Sequence, residues 1–231
     1  MKIEEVRKFT EQIHGWLTDG EGELLYGLAS NCTGKGCIVE IGSWCGKSTI
    51  WLGWGAKNGN KTKVYAIDPH TGSFEHRIIF GKVWTFDEFK KNIKNAEVDD
   101  AVIPIVKTSA EAARDFNEPV ELLFIDGEHS YNLAKLDFDL WFPKLVEGGT
   151  IVIHDTLQSI CPGTIRMAKE KIYNSRHFKD ISIVDTATIA KKVEENSLKD
   201  RIRNHIFLKI RAIKHLVGIG RRLWQVFSAN E

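Results

Sequence analysis

The sequence predicts an α/β fold, a mostly parallel sheet with helices on both faces, and three observations carry that prediction. Short apolar runs near residues 37–42, 63–67, 102–106, 121–125 and 149–154 read as buried strands. Segments near 46–57, 86–96, 110–115 and 131–145 repeat their apolar residues at helical spacing between those runs. Most of the runs also end on glycine or ionisable residues, as strands do when they deliver side chains to a common edge. Strands alternating with helices at this rhythm form βαβ crossovers.

The first 30 residues read as two helices separated at Thr18-Asp19-Gly20, with Ile3, Val6, Ile13 and Leu17, then Leu24, Leu25 and Leu28, in helical register. Near the other end, 178–184 and 186–193 are β-rich runs split by Asp185, which suits a terminal pair with an antiparallel strand. The longest irregular stretch runs from Pro69 to about Thr85. A loop of that length is usually functional or mobile.

Composition excludes more than it identifies. At 231 residues the chain is long enough for one generous domain, and 42% hydrophobic with 27% charged residues is ordinary for a globular protein. A formal net charge of +1 offers no bulk attraction for nucleic acid. Cys32, Cys37, Cys45 and Cys161 form no CxxC pair and no zinc spacing, so free thiols in a reducing compartment are expected. The charged, amphipathic N-terminus does not read as a signal peptide, and no uncharged run reaches the roughly 20 residues of a membrane span. A soluble, cytoplasmic chain is the expectation.

Val39-Glu40-Ile41-Gly42-Ser43-Trp44-Cys45-Gly46-Lys47-Ser48-Thr49 is the most informative segment. It reads as a buried strand, a tight turn that approaches a ligand, and a helix N-terminus. A P-loop would need four residues between its glycines; Gly42 and Gly46 leave three, and Glu40 would set a carboxylate against phosphate. A NAD-type Gly-x-Gly-x-x-Gly turn is missing too. Acidic-x-Gly-x-x-x-Gly suits a cationic, hydroxyl-rich nucleoside such as S-adenosylmethionine. Gly42 and Gly46 let backbone approach such a ligand, while Ser48 and Thr49 offer hydroxyls and a helix start. Asp68, 22 positions after Gly46, stands where a ribose diol would be gripped; a plain Asx turn before Pro69 is the other reading. Thr108-Ser109-Ala110-Glu111 could flank an adenine edge or simply cap a helix.

Two further strands end in chemistry. Leu122 to Ile125 deliver Asp126-Gly127-Glu128-His129-Ser130-Tyr131, and Gly148-Gly149 leads through Thr150 to Ile153 into His154-Asp155. Asp126, His154 and Asp155 on adjacent strand ends could hold a divalent cation, or form an acid/base group without metal. His129 is either a general base or a ring bound to its own loop.

Taken in order, these motifs, with Ile67-Asp68-Pro69, Asp137, Trp141 and Leu145, resemble the class I S-adenosylmethionine-dependent methyltransferases over roughly residues 20–193. Within that class they are most similar to methyltransferase family 24, akin to metal-assisted sugar and macrolide O-methyltransferases and to cephalosporin-hydroxylase-like proteins. The resemblance implies a Rossmann-like seven-stranded sheet with its last strand antiparallel. It implies cofactor contacts from Glu40, Gly42, Gly46, Ser48, Asp68 and Ser109, to which Ser43, Trp44 and Asp126 are added. Acceptor chemistry would lie at Asp126, His129, His154 and Asp155, with magnesium or another divalent cation at Asp126, His154 and Asp155. His154-Asp155 departs from the two acids, or Asp-Asn, of the metal-dependent relatives. The expected acceptor is an oxygen of a small molecule or sugar, and His76, Arg77, Phe80 and Trp84 form a plausible lid over it. Other chemistry on a cephalosporin-hydroxylase-like frame and a non-catalytic nucleoside-binding subunit are the alternatives.

The expected domain ends near residue 195, leaving a tail at 196–231. That tail holds eight Lys/Arg against two acids, so the remaining chain carries a net −5. Ile202, Ile206, Ile210, Ile213, Val217, Gly220, Trp224 and Phe227 recur at steps of three and four, and most of the basic residues fall on the opposite face. Such a helix fits peripheral docking on an anionic membrane, or packing on the body or on a second copy of the chain.

Overall fold

A computed structural model describes residues 1–73, 77–79, 81–157 and 160–209. Seven strands form one sheet: β1 Cys37–Ile41, β2 Val64–Ile67, β3 Val102–Ile105, β4 Val120–Ile125, β5 Leu145–Ile153, β6 Phe178–Val184 and β7 Ala187–Lys192. Their order is β3-β2-β1-β4-β5-β7-β6; β7 runs antiparallel to both neighbours and every other pairing is parallel. The order reverses between β1 and β4, which makes that crevice the ligand position in an open sheet.

Strand alternation divides the core in two. Ile38, Val64, Ala66, Leu122, Phe124, Val152 and Ile189 face one way, against α1 Ile3–Thr10, α2 Asp19–Ser30, α3 Lys47–Asn58 and α4 Phe86–Asn95. Val39, Ile41, Tyr65, Ile67, Leu123, Ile125, Ile151 and Ile153 face the other way, against α5 Ser109–Asp115, α6 Tyr131–Trp141 and α7 Pro162–Ala168. Past the register shifts, the even-numbered residues of β1, β4 and β5 (Ile38, Leu122, Phe124 and Val152) therefore point toward α2 and α3. Continued one step past the strand ends, that parity also covers Asp126 and His154. Gly22 brings α2 close to α3: a Cβ there would meet the Trp51 ring at 2.4 Å.

Most elements fall where the sequence pattern puts them, but α1 ends at Thr10, so Ile13 and Leu17 are buried from the connection that follows it and not from a helix; three further corrections are physical. Thr18 is not merely a break; it N-caps α2 in a reciprocal capping box with Glu21. Gly148-Gly149 does not lead into β5 but lies within it, at the shift that pairs Val120 with Leu145 and Leu122 with Thr150. Gly148 there has φ +78°. Helix α6 stops at Trp141 because Pro143 forces a single 3-10 turn over Phe142–Lys144.

Sequence reading missed α7, whose signal was Pro162 at its first turn, and the π-turn Lys169–Tyr173 that follows it. A last helix covers 198–209 of the described chain. It is tied down by Asn204, which donates to the Phe178 carbonyl at 3.0 Å, and by Phe207 and Leu208 against the second core. Leu198, Ile202 and Ile206 remain exposed. The rest of the apolar stripe, from Ile210 onward, lies outside the described residues. All four cysteines are buried and none of them forms a disulfide. Among the described residues no helix is long and apolar enough to cross a membrane.

Candidate active site

The glycine turn is held by backbone geometry. Gly42 has φ +85°, and a Cβ on it would sit 2.2 Å from the Asp126 carbonyl oxygen. The ends of β1 and β4 thus meet backbone to backbone, which only glycine allows. Asp68 fastens the turn from β2: Oδ2 accepts from the Ser43 and Trp44 N–H groups, both at 2.8 Å, and Oδ1 accepts from His70 N–H at 2.6 Å. The Asx turn is therefore present, and the same carboxylate also braces the ligand loop. Trp44 takes φ +47°, a costly conformation for a large side chain. Its indole donates to His14 Nδ1 at 2.9 Å, and His14, Trp16 and Trp44 form an aromatic cluster.

Glu40 is fully buried beneath the turn, and its carboxylate accepts from the Ser48 and Thr49 hydroxyls of α3. Burial pushes its carboxyl up to about 7, against the opposing pull of those hydroxyls. Gly46 is the left-handed N-cap of α3. Ser109 begins α5 and accepts from the Trp141 indole at 2.9 Å, while the neighbouring cap is a Thr108–Glu111 box. Of the loop after β2, His70 is buried, with Nδ1 2.9 Å from the Thr85 hydroxyl, and Arg77 donates to the Gly72 carbonyl. The lid residues His76 and Phe80 lie outside the described residues.

Across the crevice the second group assembles as the strand ends imply. His154 Nδ1 lies 2.9 Å from Asp126 Oδ1 and 3.3 Å from Asp155 Oδ2. His129 Nε2 is 3.2 Å from Asp155 Oδ2. Burial disfavours an imidazolium at His154, yet Asp126, Asp155 and Glu21 outweigh it and hold the ring well above the ordinary histidine range. Burial likewise opposes a charged Asp155, but the two histidines bring its carboxyl below the usual range.

Glu21, from α2, was not foreseen. Its Oε2 lies 3.1 Å from His154 Nε2, and its Oε1 accepts from Thr186 N–H and Oγ1 at 2.9 and 2.6 Å. The only local signal was the Thr18-x-x-Glu21 spacing, which announces a helix cap and nothing 133 residues away.

Asp126, His154 and Asp155 each offer one donor atom within 4.8 Å of the others, the spacing of a cation site with two oxygens and one nitrogen. His154 Nδ1 is buried and, despite its acidic neighbours, aligned for a hydrogen bond with neither. The same carboxylates favour a proton on Nδ1, which a bound cation would displace; with that proton gone, the nitrogen fits a cation ligand.

A seven-stranded sheet of this order, with a glycine turn at its switch point and acidic strand ends across from it, is the architecture of class I S-adenosylmethionine-dependent methyltransferases. Comparison with known proteins agrees. Residues 39–156, just over half of the chain, match the family described as methyltransferase domain. An uncharacterised protein of Sinorhizobium fredii is 31% identical over 121 residues, which are 52% of this chain and 13% of that much longer protein. Among solved structures, the O-methyltransferase NovP superposes with a TM-score of 0.66 at 18% identity, covering 83% of this chain and 88% of its own. An O-methyltransferase from Bacillus cereus, in complex with SAH, gives 0.58 at 19% identity over 83% of this chain and 90% of its own. The chain belongs to the methyltransferase-domain family.

Proposed function

We propose that the protein transfers a methyl group from S-adenosylmethionine to an oxygen of a small molecule or sugar. The observation that carries this reading is the junction of the two halves: the Gly42 turn rests directly on the Asp126 backbone, so the nucleoside loop and the acidic strand ends share one crevice. The cofactor supplies an electrophilic methyl on sulfur. The turn Gly42–Gly46 receives it, Asp68 keeps that turn in shape, and Ser48 and Glu40 support it from α3 and β1. The B. cereus neighbour, solved with SAH, supports the choice of cofactor.

The protein's own part is alignment and proton removal. Asp126 and Asp155 orient the acceptor hydroxyl, which must approach the methyl carbon in line at about 3–3.5 Å. The acceptor's hydroxyl proton would pass to His129 Nε2, which Asp155 Oδ2 orients from 3.2 Å. Asp126, His154 Nδ1 and Asp155 would hold a divalent cation, which lowers the pKa of a bound hydroxyl. The tail is assigned a separate role in peripheral contact with an anionic surface. Exposed Leu198, Ile202 and Ile206, continued by a basic sequence, support this.

Calorimetric titration with S-adenosylhomocysteine, followed by an acceptor screen reading labelled methyl transfer, tests the assignment. Micromolar binding and an O-methylated product are expected; absence of binding rejects the reading.

A further inference from the structure

We propose that Glu21 is a positioning residue of this site, holding the His154 ring so that Nδ1 faces Asp126 and Asp155. The inference deepens the function proposed above and rests on its cation-assisted form. Glu21 is 1% exposed. A buried carboxylate is costly unless its acceptor capacity is filled, and here four contacts fill it. Oε2 takes the Thr18 N–H at 3.0 Å and faces His154 Nε2 at 3.1 Å; Oε1 takes both Thr186 donors.

The plain alternative is a capping-box glutamate, and one contact, to Thr18, is explained by it. The other three reach outside the helix, to the β6–β7 turn and to the end of β5. Because a carboxylate only accepts, the Oε2 contact places a proton on Nε2. The remaining ring nitrogen, Nδ1, is then left for the site, and it is the buried atom without an aligned partner, 2.9 Å from Asp126 and 3.3 Å from Asp155. Carboxylate–histidine pairs of this kind fix the tautomer and aim of a ligating ring.

Glu21 and Thr186 both lie outside the family-matched stretch 39–156. The N-terminal helices and the terminal hairpin therefore complete a site whose other groups lie within that stretch.

The test uses the full-length protein and its Glu21→Gln and Thr18→Ala variants. Manganese affinity is read by electron paramagnetic resonance, and SAH affinity by calorimetry. The Gln amide nitrogen cannot accept, so either His154 or Thr186 loses its partner, while Thr18→Ala removes the hydroxyl that caps α2 and leaves the four contacts of the Glu21 carboxylate in place. Glu21→Gln is expected to weaken manganese binding by about tenfold or more and leave SAH affinity unchanged; Thr18→Ala should leave both unchanged, and an equal loss of manganese affinity in Thr18→Ala overturns the proposal. Equal manganese affinity in all three proteins overturns the proposal and leaves Glu21 a cap.

A second measurement needs no variant. In 15N-histidine spectra of the wild type, magnesium should shift His154 Nδ1 while Nε2 keeps its proton; coordination through Nε2, or no shift, also overturns it. Wild-type protein that binds SAH but neither cation ends this proposal alone. Protein that binds no SAH and no cation ends the methyltransferase reading with it.

Discussion

The two sides of the crevice are built from different materials. The β1–β2 side is backbone: Gly42 against the Asp126 carbonyl, Gly46 in the left-handed region, and one Asp68 carboxylate gathering three N–H groups. The β4–β5 side is charge: Asp126, Asp155, His129 and His154, with Glu21 reaching in from α2. The backbone side is shaped mainly by one local strand–turn–helix, braced by neighbouring strands, whereas the charged side draws its groups from separate strand ends and from α2. Substitutions on the first side should therefore act through shape and stability. On the second they should act through ligand affinity.

Gly42→Ala should have the largest effect. It combines a positive φ with a Cβ 2.2 Å from a backbone oxygen that cannot move without moving β4. A loss of about 3 kcal/mol or more is expected, read by chemical denaturation, together with loss of SAH binding. A stable Gly42→Ala protein that still binds SAH would show that the turn is more adaptable than its geometry implies.

Asp68→Asn should come next. With one carbonyl oxygen in place of two carboxylate oxygens, it leaves at least one buried N–H unmatched and costs about 1–3 kcal/mol. On the charged side, Asp126→Asn should leave thermal stability nearly intact and abolish magnesium-dependent binding. A comparable loss of stability in both Asn variants would erase the distinction between the two halves.

Glu40 offers a test by pH. Its folded carboxyl sits at about 7 against an ordinary value of 4.5, so the folded state holds this proton more tightly than the unfolded chain does. Its contribution favours folding at low pH and is lost as pH rises from about 4.5 to 7. Glu40→Gln should flatten the decline of stability across that window, measured by urea midpoints at several pH values. An unchanged slope would mean that Glu40 titrates normally. The smallest effect is expected in the tail: Ile202→Asp with Ile206→Asp should change stability by less than about 0.5 kcal/mol, because both residues are exposed. The pair should nevertheless reduce sedimentation with anionic vesicles.

The same contrast explains what could be read in the sequence. The strand–turn–helix at Glu40–Thr49 is local, and spacing alone separates it from a P-loop. Asp126, His154 and Asp155 were foreseeable as neighbours because strand ends align in a parallel sheet. Glu21 was not, since its capping pattern is a complete local explanation and the His154 contact exists only once α2 packs on the sheet. Asp68 was half legible: the Asx turn to His70 is a property of three residues, whereas its grip on Ser43 and Trp44 needs β2 beside β1. Helix α7 was missed because, unlike the equally short α5 with its Thr108–Glu111 box, it has no side-chain cap, and Pro162 alone marks its start.

The most direct test of the cofactor assignment is calorimetric titration of the purified protein with S-adenosylhomocysteine, with and without magnesium. Micromolar binding is expected under both conditions, because the backbone half alone holds the nucleoside, with an added magnesium-dependent heat that Asp126→Asn removes. No binding under either condition would contradict the assignment on which everything else rests.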